Sequence, residues 1–235
     1  MLTIVKPRWE LYHPQDLQQL VPLVERCGRV CYRSEDQITE GSADKFVRMI
    51  CRNHHESVLE HASITVKITC SRAASHQLVR HRVGCAYSQE SMRYCNYWKK
   101  GLQVIAPIGL NIPPGVYHKS KLPWRGFYMS IPNDDRPWAL GLGKEEQVWL
   151  RDVHRTYESY KRQLKKGSKP ENARFILPTA TKTEVVTTYN VRMWRHVFRE
   201  RAFNKNAQWE IRGIFQDIFD HFVEDMPAFF EDLKS

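Results

Sequence analysis

Apolar residues recur along this chain with two different periods, and each switch between them marks the end of one element and the start of another. From Asp16 to Arg29, Leu17, Leu20, Val21, Val24 and Cys27 fall three or four apart, which predicts a helix with one face turned to a core. Phe46, Val47, Ile50 and Cys51 predict a second helix, with Asp44 as its expected cap. Residues 62 to 70, Ala-Ser-Ile-Thr-Val-Lys-Ile-Thr-Cys, alternate strictly between apolar and polar, the period of a strand with one buried face. Ser71 is placed to cap a following helix that carries Ala74 and Leu78 and ends on Arg80-His81-Arg82. Lys144 to Lys166 gathers Trp149, Val153, Tyr157, Tyr160 and Leu164 on one side, with Gly167 just past its end. Glu184 to Tyr189 reads as a second strand, and helix resumes from Arg192 to Arg201. Gln208 to Met226 is the most regular run, and its stripe of Ile211, Ile214, Phe215, Ile218, Phe219, Phe222 and Val223 is core or subunit interface.

Residues 101 to 143 break this regularity with prolines and glycines, including Pro113-Pro114-Gly115, and with Trp124, Tyr128 and Trp138 scattered among them. The stretch of about 99–143 is expected to be an irregular insertion with turns, since connections this long are usually functional or mobile. No repeat, low-complexity tract or interdomain linker is visible elsewhere. Strands mixed with several long helices predict an α+β fold, with residues 1–235 forming a single domain.

Composition narrows the class. Of the 235 residues, 42% are hydrophobic and 26% charged, which excludes disorder for most of the length. No apolar run reaches the ~18 residues a membrane-spanning helix needs. Met1-Leu2-Thr3-Ile4-Val5-Lys6-Pro7 lacks the long apolar core of a signal peptide, so a cytoplasmic location is expected. Six cysteines, at positions 27, 31, 51, 70, 85 and 95, do not form the dense framework of a secreted scaffold and are expected to be reduced thiols. Cys51, His54, His55 and His61 bunch together, but structural zinc wants two close ligand pairs separated by a spacer. No second pair follows, and no metal site is expected.

The net charge of +10 admits nucleic acid, membrane surfaces or small anionic metabolites as partners. The basic run Lys161-Arg162-Gln163-Leu164-Lys165-Lys166 ends a predicted helix, where cations suit the helix dipole. Arginines 80, 82, 93, 174, 192 and 201 are instead dispersed, as expected of a compact anion pocket assembled by folding. Arg80-His81-Arg82 with Tyr87-Ser88-Gln89-Glu90-Ser91-Met92-Arg93-Tyr94 concentrates three guanidiniums, an imidazole, hydroxyls, an amide and a carboxylate within fifteen residues. Guanidinium offers five fixed donors and is always charged, so this set suits anion binding and suits a dry interior poorly. Two readings of it stand: an active site for anionic ligands, or a basic nucleic-acid-binding module using Arg80 to Arg93 as a contact strip.

Arg80-His81-Arg82 with Ser91, Arg93 and Tyr94 resembles the signature of the flavin-dependent thymidylate synthases (ThyX family). That signature is Arg-His-Arg, seven residues, then serine and shortly Arg-Tyr. Here eight residues, Val83 to Glu90, intervene, with the extra one placed in residues 83–86. His55-Glu56-Ser57-Val58-Leu59-Glu60-His61 resembles the family's His-Glu-Ser/Thr-x-x-Glu-His turn, and Glu171 to Pro178 its Ala-Arg-x-x-Leu-Pro element. Asn190-Val191-Arg192, His196, Arg201 and Ala207-Gln208-Trp209-Glu210-Ile211 follow in the family's order, with one residue more than some members between Arg201 and Gln208.

The resemblance implies a homotetrameric α+β enzyme that converts dUMP to dTMP. 5,10-Methylenetetrahydrofolate supplies the carbon, and FAD reduced by NADPH supplies the hydride. It implies Arg201 as the catalytic residue that stabilises the ionised uracil. It places Gln77, Arg80, Gln89, Glu90, Ser91, Arg93, Arg174 and Arg201 at dUMP, and Ser57, Arg80, His81, Arg82, Gln89, Asn190, Arg192 and His196 at FAD. His196 stands where some members carry asparagine. Neither nucleic acid nor membrane is expected as a partner. Cys85 and Cys95 lie near the motif and are candidates for a thiolate attacking the uracil ring. The resemblance favours the rival route, in which a fixed guanidinium stabilises charge on the ring and no enzyme nucleophile is needed.

Overall fold

The computed structural model describes residues 1–12, 17–119, 126–131, 134–138 and 141–234, and its architecture is mixed α+β. In chain order, β1 (Leu2–Ile4) and β2 (Arg8–Leu11) precede α1 (Leu20–Arg29) and α2 (Ser42–Arg52). β3 (Ser63–Ser71) leads into α3 (Arg72–Leu78), β4 (Cys85–Gln89) and the short α4 (Tyr97–Lys100). Then come β5 (Leu102–Val104), β6 (Gly115–Lys119), β7 (Phe127–Ile131) and β8 (Asp134–Trp138). The long α5 (Lys144–Lys165) follows, then α6 (Pro170–Ala173), β9 (Lys182–Asn190), α7 (Val191–Val197), α8 (Trp209–Asp225) and α9 (Pro227–Phe230). The chain divides into two compact units. The first comprises Met1–Pro7, Thr69–Ser75 and Gln89–Glu184, and the second Arg8–Ile68, His76–Ser88 and Val185–Ser235.

In the first unit a five-stranded sheet runs β5-β1-β6-β7-β8. β1 is parallel to β5, with Leu2 opposite Leu102, and antiparallel to β6, with Leu2 opposite Tyr117. Leu2, Ile4, Leu102, Val104, Tyr117 and Phe127 join Leu150, Val153, Tyr157 and Tyr160 of α5 in one core. Each such side chain taken out of water contributes about 1.5–3 kcal/mol. The two core tyrosines keep their hydroxyls satisfied on one backbone segment: Tyr157 donates to Tyr97 O at 3.0 Å, and Tyr160 accepts from Tyr97 N at 3.3 Å. Helix α5 ends as its sequence predicts. Gly167 takes a left-handed φ of 92° and donates to Leu164 O, while Ser168 donates to Gln163 O, which together satisfy the last carbonyls.

This sheet corrects the expectation of an irregular insertion at about 99–143, because β5, β6, β7 and β8 all lie there. The strand period is hard to see because β6 is five residues long and only Tyr117 in it is fully buried. Trp124, singled out in that stretch, lies outside the described residues, as does Asp16 at the expected start of the first helix.

The second sheet has the order β2-β3-β9-β4. The strict alternation of residues 62 to 70 becomes β3, and Thr65 and Thr188 hydroxyls of β3 and β9 lie 2.8 Å apart. In the second unit, Trp194 of α7 is buried with Tyr189, Phe198 and Phe222 at ring separations of 4.8, 5.5 and 5.0 Å, and its indole donates to Ile64 O at 3.2 Å. Aromatic pairs of this kind add about 0.5–1.5 kcal/mol beyond their buried area. The predicted stripe of α8 is core: Ile211, Ile214, Phe215, Ile218, Phe219 and Phe222 are all buried. Gln208, the first residue of the predicted run, is the cap and accepts from Glu210 N and Ile211 N.

Three boundaries differ from expectation. Helix α2 starts at Ser42, so Asp44 lies in its first turn and pairs with Arg48 at 3.5 Å. A carboxylate there is favourable to the helix dipole without being the cap. Helix α3 is capped by Ser71 as expected, Oγ accepting from Ala74 N at 3.1 Å, but it stops at Leu78. Arg80-His81-Arg82 therefore lies on the turn beyond it, where Arg80 N and His81 N close on Gln77 O and Leu78 O. The helix expected from Arg192 to Arg201 is α7 followed by a π-helical turn, Phe198–Phe203.

Arg195 fixes α7. Its side chain is fully buried, with Nε 3.1 Å from Glu56 Oε1 and the NH1 and NH2 groups each 2.7 Å from an Asp232 oxygen; NH1 also donates to Phe229 O. Burial alone would raise the Asp232 carboxyl, but the hydrogen bonds and charge of Arg195 outweigh it and hold that group below the usual carboxylate range. Breaking a fully buried pair costs about 3–5 kcal/mol. Because Asp232 is 34% exposed and Glu56 would remain, Asp232→Ala is expected to cost about 2 kcal/mol in urea denaturation at neutral pH. A carboxyl whose folded pKa is depressed contributes its stability above the unfolded pKa and loses it as pH falls through the folded one. The difference between wild type and variant is therefore expected to shrink below about pH 4.

Candidate active site

The second unit assembles its site around Arg201. A π-helical turn carries one residue more than an α-turn and is frequent at functional sites, and here it holds Arg201 half-buried. Arg201 Nε donates to Nε2 of His81 at 3.0 Å, and its NH1 group reaches Gln77 Oε1 at 3.5 Å. His81 is 7% exposed, and His196 meets its ring edge-on at 5.6 Å. Burial, then the charges of Arg201 and His196, push the His81 imidazole down to about 4. It is neutral at physiological pH.

The turn that carries His81 is pinned from β4. Cys85 Sγ donates to His81 O at 3.0 Å, and Tyr87 Oη lies 2.7 Å from the same carbonyl, 2.9 Å from Leu78 O and 2.8 Å from Tyr189 Oη. Burial, reinforced by Tyr189, raises the Tyr87 hydroxyl far above its usual range, so it stays a donor. Gly84 is required at the next position. Its φ is +61°, and a Cβ there would sit 2.2 Å from Asn190 Nδ2. Asn190 itself caps α7, Oδ1 accepting from Met193 N at 2.8 Å, while its N–H closes on Gly84 O. The segment 83–86, where the extra residue is expected, thus includes a turn held between His81 and Asn190.

Of the other residues expected at FAD, Arg80, Arg82, Ser57 and His196 are exposed, and Arg192 pairs with Glu60 at 2.5 Å. The run from Arg80 to Arg93 does not form a continuous exposed strip, since His81 is buried and Cys85, Tyr87 and Gln89 are half-buried on a strand. Cys51, from the cysteine–histidine cluster, is buried, and burial pushes its thiol up to about 11.

The first unit holds the rest of the expected nucleotide set. Gln89 donates to Ser75 Oγ at 2.9 Å and to Thr183 Oγ1 at 3.3 Å. The Glu90 carboxylate lies 3.1 Å from Lys182 Nζ and accepts from Tyr97 Oη at 3.3 Å. Ser91 Oγ accepts from Arg93 N, and Glu171 joins the two arginines: its carboxylate lies 3.5 Å from Arg93 Nε and its carbonyl accepts from Arg174 Nε at 3.1 Å.

Arg72 is a candidate that the sequence reading missed. One NH2 hydrogen goes to Glu90 O, while its buried Nε has no hydrogen-bond partner among the described residues. An unpaired buried donor costs about 1–3 kcal/mol, which marks it as a donor suited to an anion. The available signal was its place directly after Ser71, where strand hands over to helix.

Comparison with known proteins supplies the context for this arrangement. Residues 17–228 match the family model described as thymidylate synthase complementing protein, Thy1. The chain is 31% identical to a flavin-dependent thymidylate synthase of Pyrococcus furiosus over 195 residues, covering 82% of this chain and 67% of that protein. It is 34% identical to one from Mycobacterium sp. strain JLS over 216 residues, covering 90% and 79%. Two solved structures share the fold. One is the UMP/dUMP methylase PolB of Streptomyces cacaoi bound with 5-Br UMP, with a TM-score of 0.69, 21% identity and coverage of 98% and 95%. The other is thymidylate synthase X of Helicobacter pylori with FAD and dUMP, with a TM-score of 0.68, 22% identity and coverage of 96% and 98%. A family match spanning most of the chain, with a third of positions identical along nine-tenths of it, settles the assignment: the chain belongs to the flavin-dependent thymidylate synthase family.

Proposed function

We propose that this chain catalyses the reductive methylation of dUMP to dTMP, with Arg201 as the residue that stabilises charge on the pyrimidine. The observation that carries this role is a guanidinium whose hydrogen-bond partners among the described residues, His81 and Gln77, are neutral, so that no carboxylate among them cancels its positive charge. Of the five guanidinium donors, these contacts use two, which leaves an edge for a carbonyl oxygen of the ring. A preorganised cation of this kind lowers the energy of negative charge developing near C5 without reorganising as it forms.

Gln77, Arg80, Gln89, Glu90, Ser91, Arg93 and Arg174 are the further residues proposed to hold dUMP. Their make-up suits a phosphate, a sugar and a base edge: arginine forks for the phosphate, Ser91 and the Gln89 amide for directional hydrogen bonds. Glu90 shares the Lys182 ammonium with Glu184 and accepts from Tyr97 Oη, so it repels the nucleotide less than a free carboxylate would. Ser57, Arg80, Arg82, Gln89, Asn190, Arg192 and His196 are proposed for FAD, whereas His81, expected there too, is buried and accepts from Arg201. The exposed guanidiniums of Arg80 and Arg82 are a donor set that fits a pyrophosphate. FAD reduced by NADPH supplies the hydride when bound, and 5,10-methylenetetrahydrofolate supplies the carbon. A homotetramer in the cytoplasm completes the reading; no helix among the described residues is long and apolar enough to cross a membrane.

Three outcomes test it. Arg201→Ala and Arg201→Lys are expected to slow oxidation of reduced flavin in the presence of folate and dUMP by roughly 10²–10³, with flavin content retained, because an ammonium cannot reproduce the planar fork. Near wild-type rates in both variants would reduce Arg201 to a structural residue. Arg82→Ala should purify with less flavin; undiminished occupancy at wild-type affinity removes Arg82 from the cofactor set. The Cys85 thiol is engaged with the His81 carbonyl, so Cys85→Ala is expected to keep dTMP synthesis within about tenfold, as is Cys95→Ala, a loss of ~1.4 kcal/mol or less. Abolished turnover in either folded, flavin-loaded variant would restore a covalent thiolate mechanism.

A further inference from the structure

We propose that His81 is the positioning residue of Arg201: its neutral imidazole, acting as hydrogen-bond acceptor through Nε2, aims the guanidinium at the pyrimidine. This rests on the reading that Arg201 stabilises the ring.

The direction of the bond follows from chemistry. A guanidinium has donors and no acceptor, so across the 3.0 Å between Arg201 Nε and His81 Nε2 the proton belongs to arginine. The receiving nitrogen must then be bare, which puts the ring proton of His81 on Nδ1. An imidazolium could not accept, and it would place a second cation against the first. The site enforces the neutral form. Arg201 on the π-helical turn and His196 on α7 face the ring, Cys85 and Tyr87 of β4 hold its carbonyl, and Arg80 and Arg82 flank it in sequence. No carboxylate is among these groups. Burial adds to the same effect, and the pKa near 4 agrees with it.

The bond to Nε also does what bonds to the outer nitrogens would not. It fixes the side chain at the branch of the fork, so that the NH1 and NH2 edge is oriented but left open, with only Gln77 at NH1. Misplacing such a group by about 1 Å can cost 10²-fold in rate. His81 on this account is committed to Arg201 and is not an FAD ligand, although its flanking arginines are exposed.

The experiment compares His81→Gln, whose amide oxygen can take the place of Nε2 without titrating, with His81→Leu, which removes the acceptor at similar volume. Flavin content, dUMP affinity and the single-turnover rate of flavin oxidation are measured from pH 4.5 to 8.5. Nε-¹⁵N arginine spectra are recorded in parallel, with the Arg201 signal identified from its loss in Arg201→Lys. His81→Leu is expected to lose roughly 10–100-fold in rate with flavin content unchanged, and to shift or broaden the Arg201 Nε–H signal. His81→Gln is expected to stay within about threefold and to keep the Arg201 Nε–H signal, since its amide oxygen still accepts. Adding His81→Leu to Arg201→Ala should cost nothing further, since a positioning residue has nothing left to position.

A His81→Leu enzyme at wild-type rate, or one that loses flavin in proportion to its activity, overturns the proposal. Should His81→Leu fail to fold, a His81→Gln protein whose Arg201 signal is unperturbed but whose rate has collapsed overturns it equally. If instead Arg201→Ala turns over normally, the assignment of Arg201 to the ring is what fails. The spectra separate the two failures, because the Nε–H signal would still follow His81.

Discussion

Everything the second unit does with Arg201 depends on where α7 is fixed, and α7 is fixed by a charge taken entirely out of water. Arg195 meets Glu56, ahead of β3, and Asp232, near the other end of the unit's sequence, with a backbone carbonyl as a further acceptor. A buried guanidinium with any of these missing would be costly, so the three segments are held in one arrangement. The neighbouring Trp194 does the same through packing, against Tyr189, Phe198 and Phe222. The next turn after this doubly anchored helix is the π-helical segment with Arg201. Arg201 is thus placed immediately beyond a helix anchored by both a buried ion pair and aromatic packing.

The sequence carried the long elements plainly, because their signals are local. The alternation of 62 to 70 is β3, the stripe from Ile211 to Phe222 is the buried face of α8, and Gly167 closes α5 in the left-handed conformation its position suggested. The sheet strands between 102 and 138 were not legible, since each is three to five residues long and β5 and β6 pair with β1 at the far end of the sequence. β4 was hidden for a related reason. Cys85, Tyr87 and Gln89 are its inner positions, and a thiol, a phenol and an amide do not announce a buried face until their partners, Tyr189 among them, are known.

The site shows the same division. Residue types and spacing located the arginines, but not what each one touches. Asn190, expected at the cofactor, also caps α7, and His81, expected there too, accepts from Arg201. The role of Arg72 rests on one unpaired buried nitrogen, which no pattern of neighbours in sequence predicts. The need for glycine at position 84 likewise shows only in three dimensions, where Gly84 lies against Asn190 more closely than any side chain would allow.

The partners of the arginines divide them by task. Arg195 is closed off by two carboxylates and Arg192 by Glu60; Arg93 has Glu171 alongside at a longer 3.5 Å. A carboxylate at contact distance cancels much of the field a guanidinium projects, so buried Arg195 serves structure, while the exposed Arg192 and Arg93 offer an anion only part of their charge. Arg201 is different in kind, since its hydrogen bonds go to an imidazole and an amide. Neutral acceptors fix direction as well as a carboxylate does, but they leave the charge unspent. On the role proposed for Arg201, where negative charge grows on a pyrimidine, orientation without neutralisation is the property required, and a neutral histidine provides it where a carboxylate would have made the stronger bond and cancelled the charge.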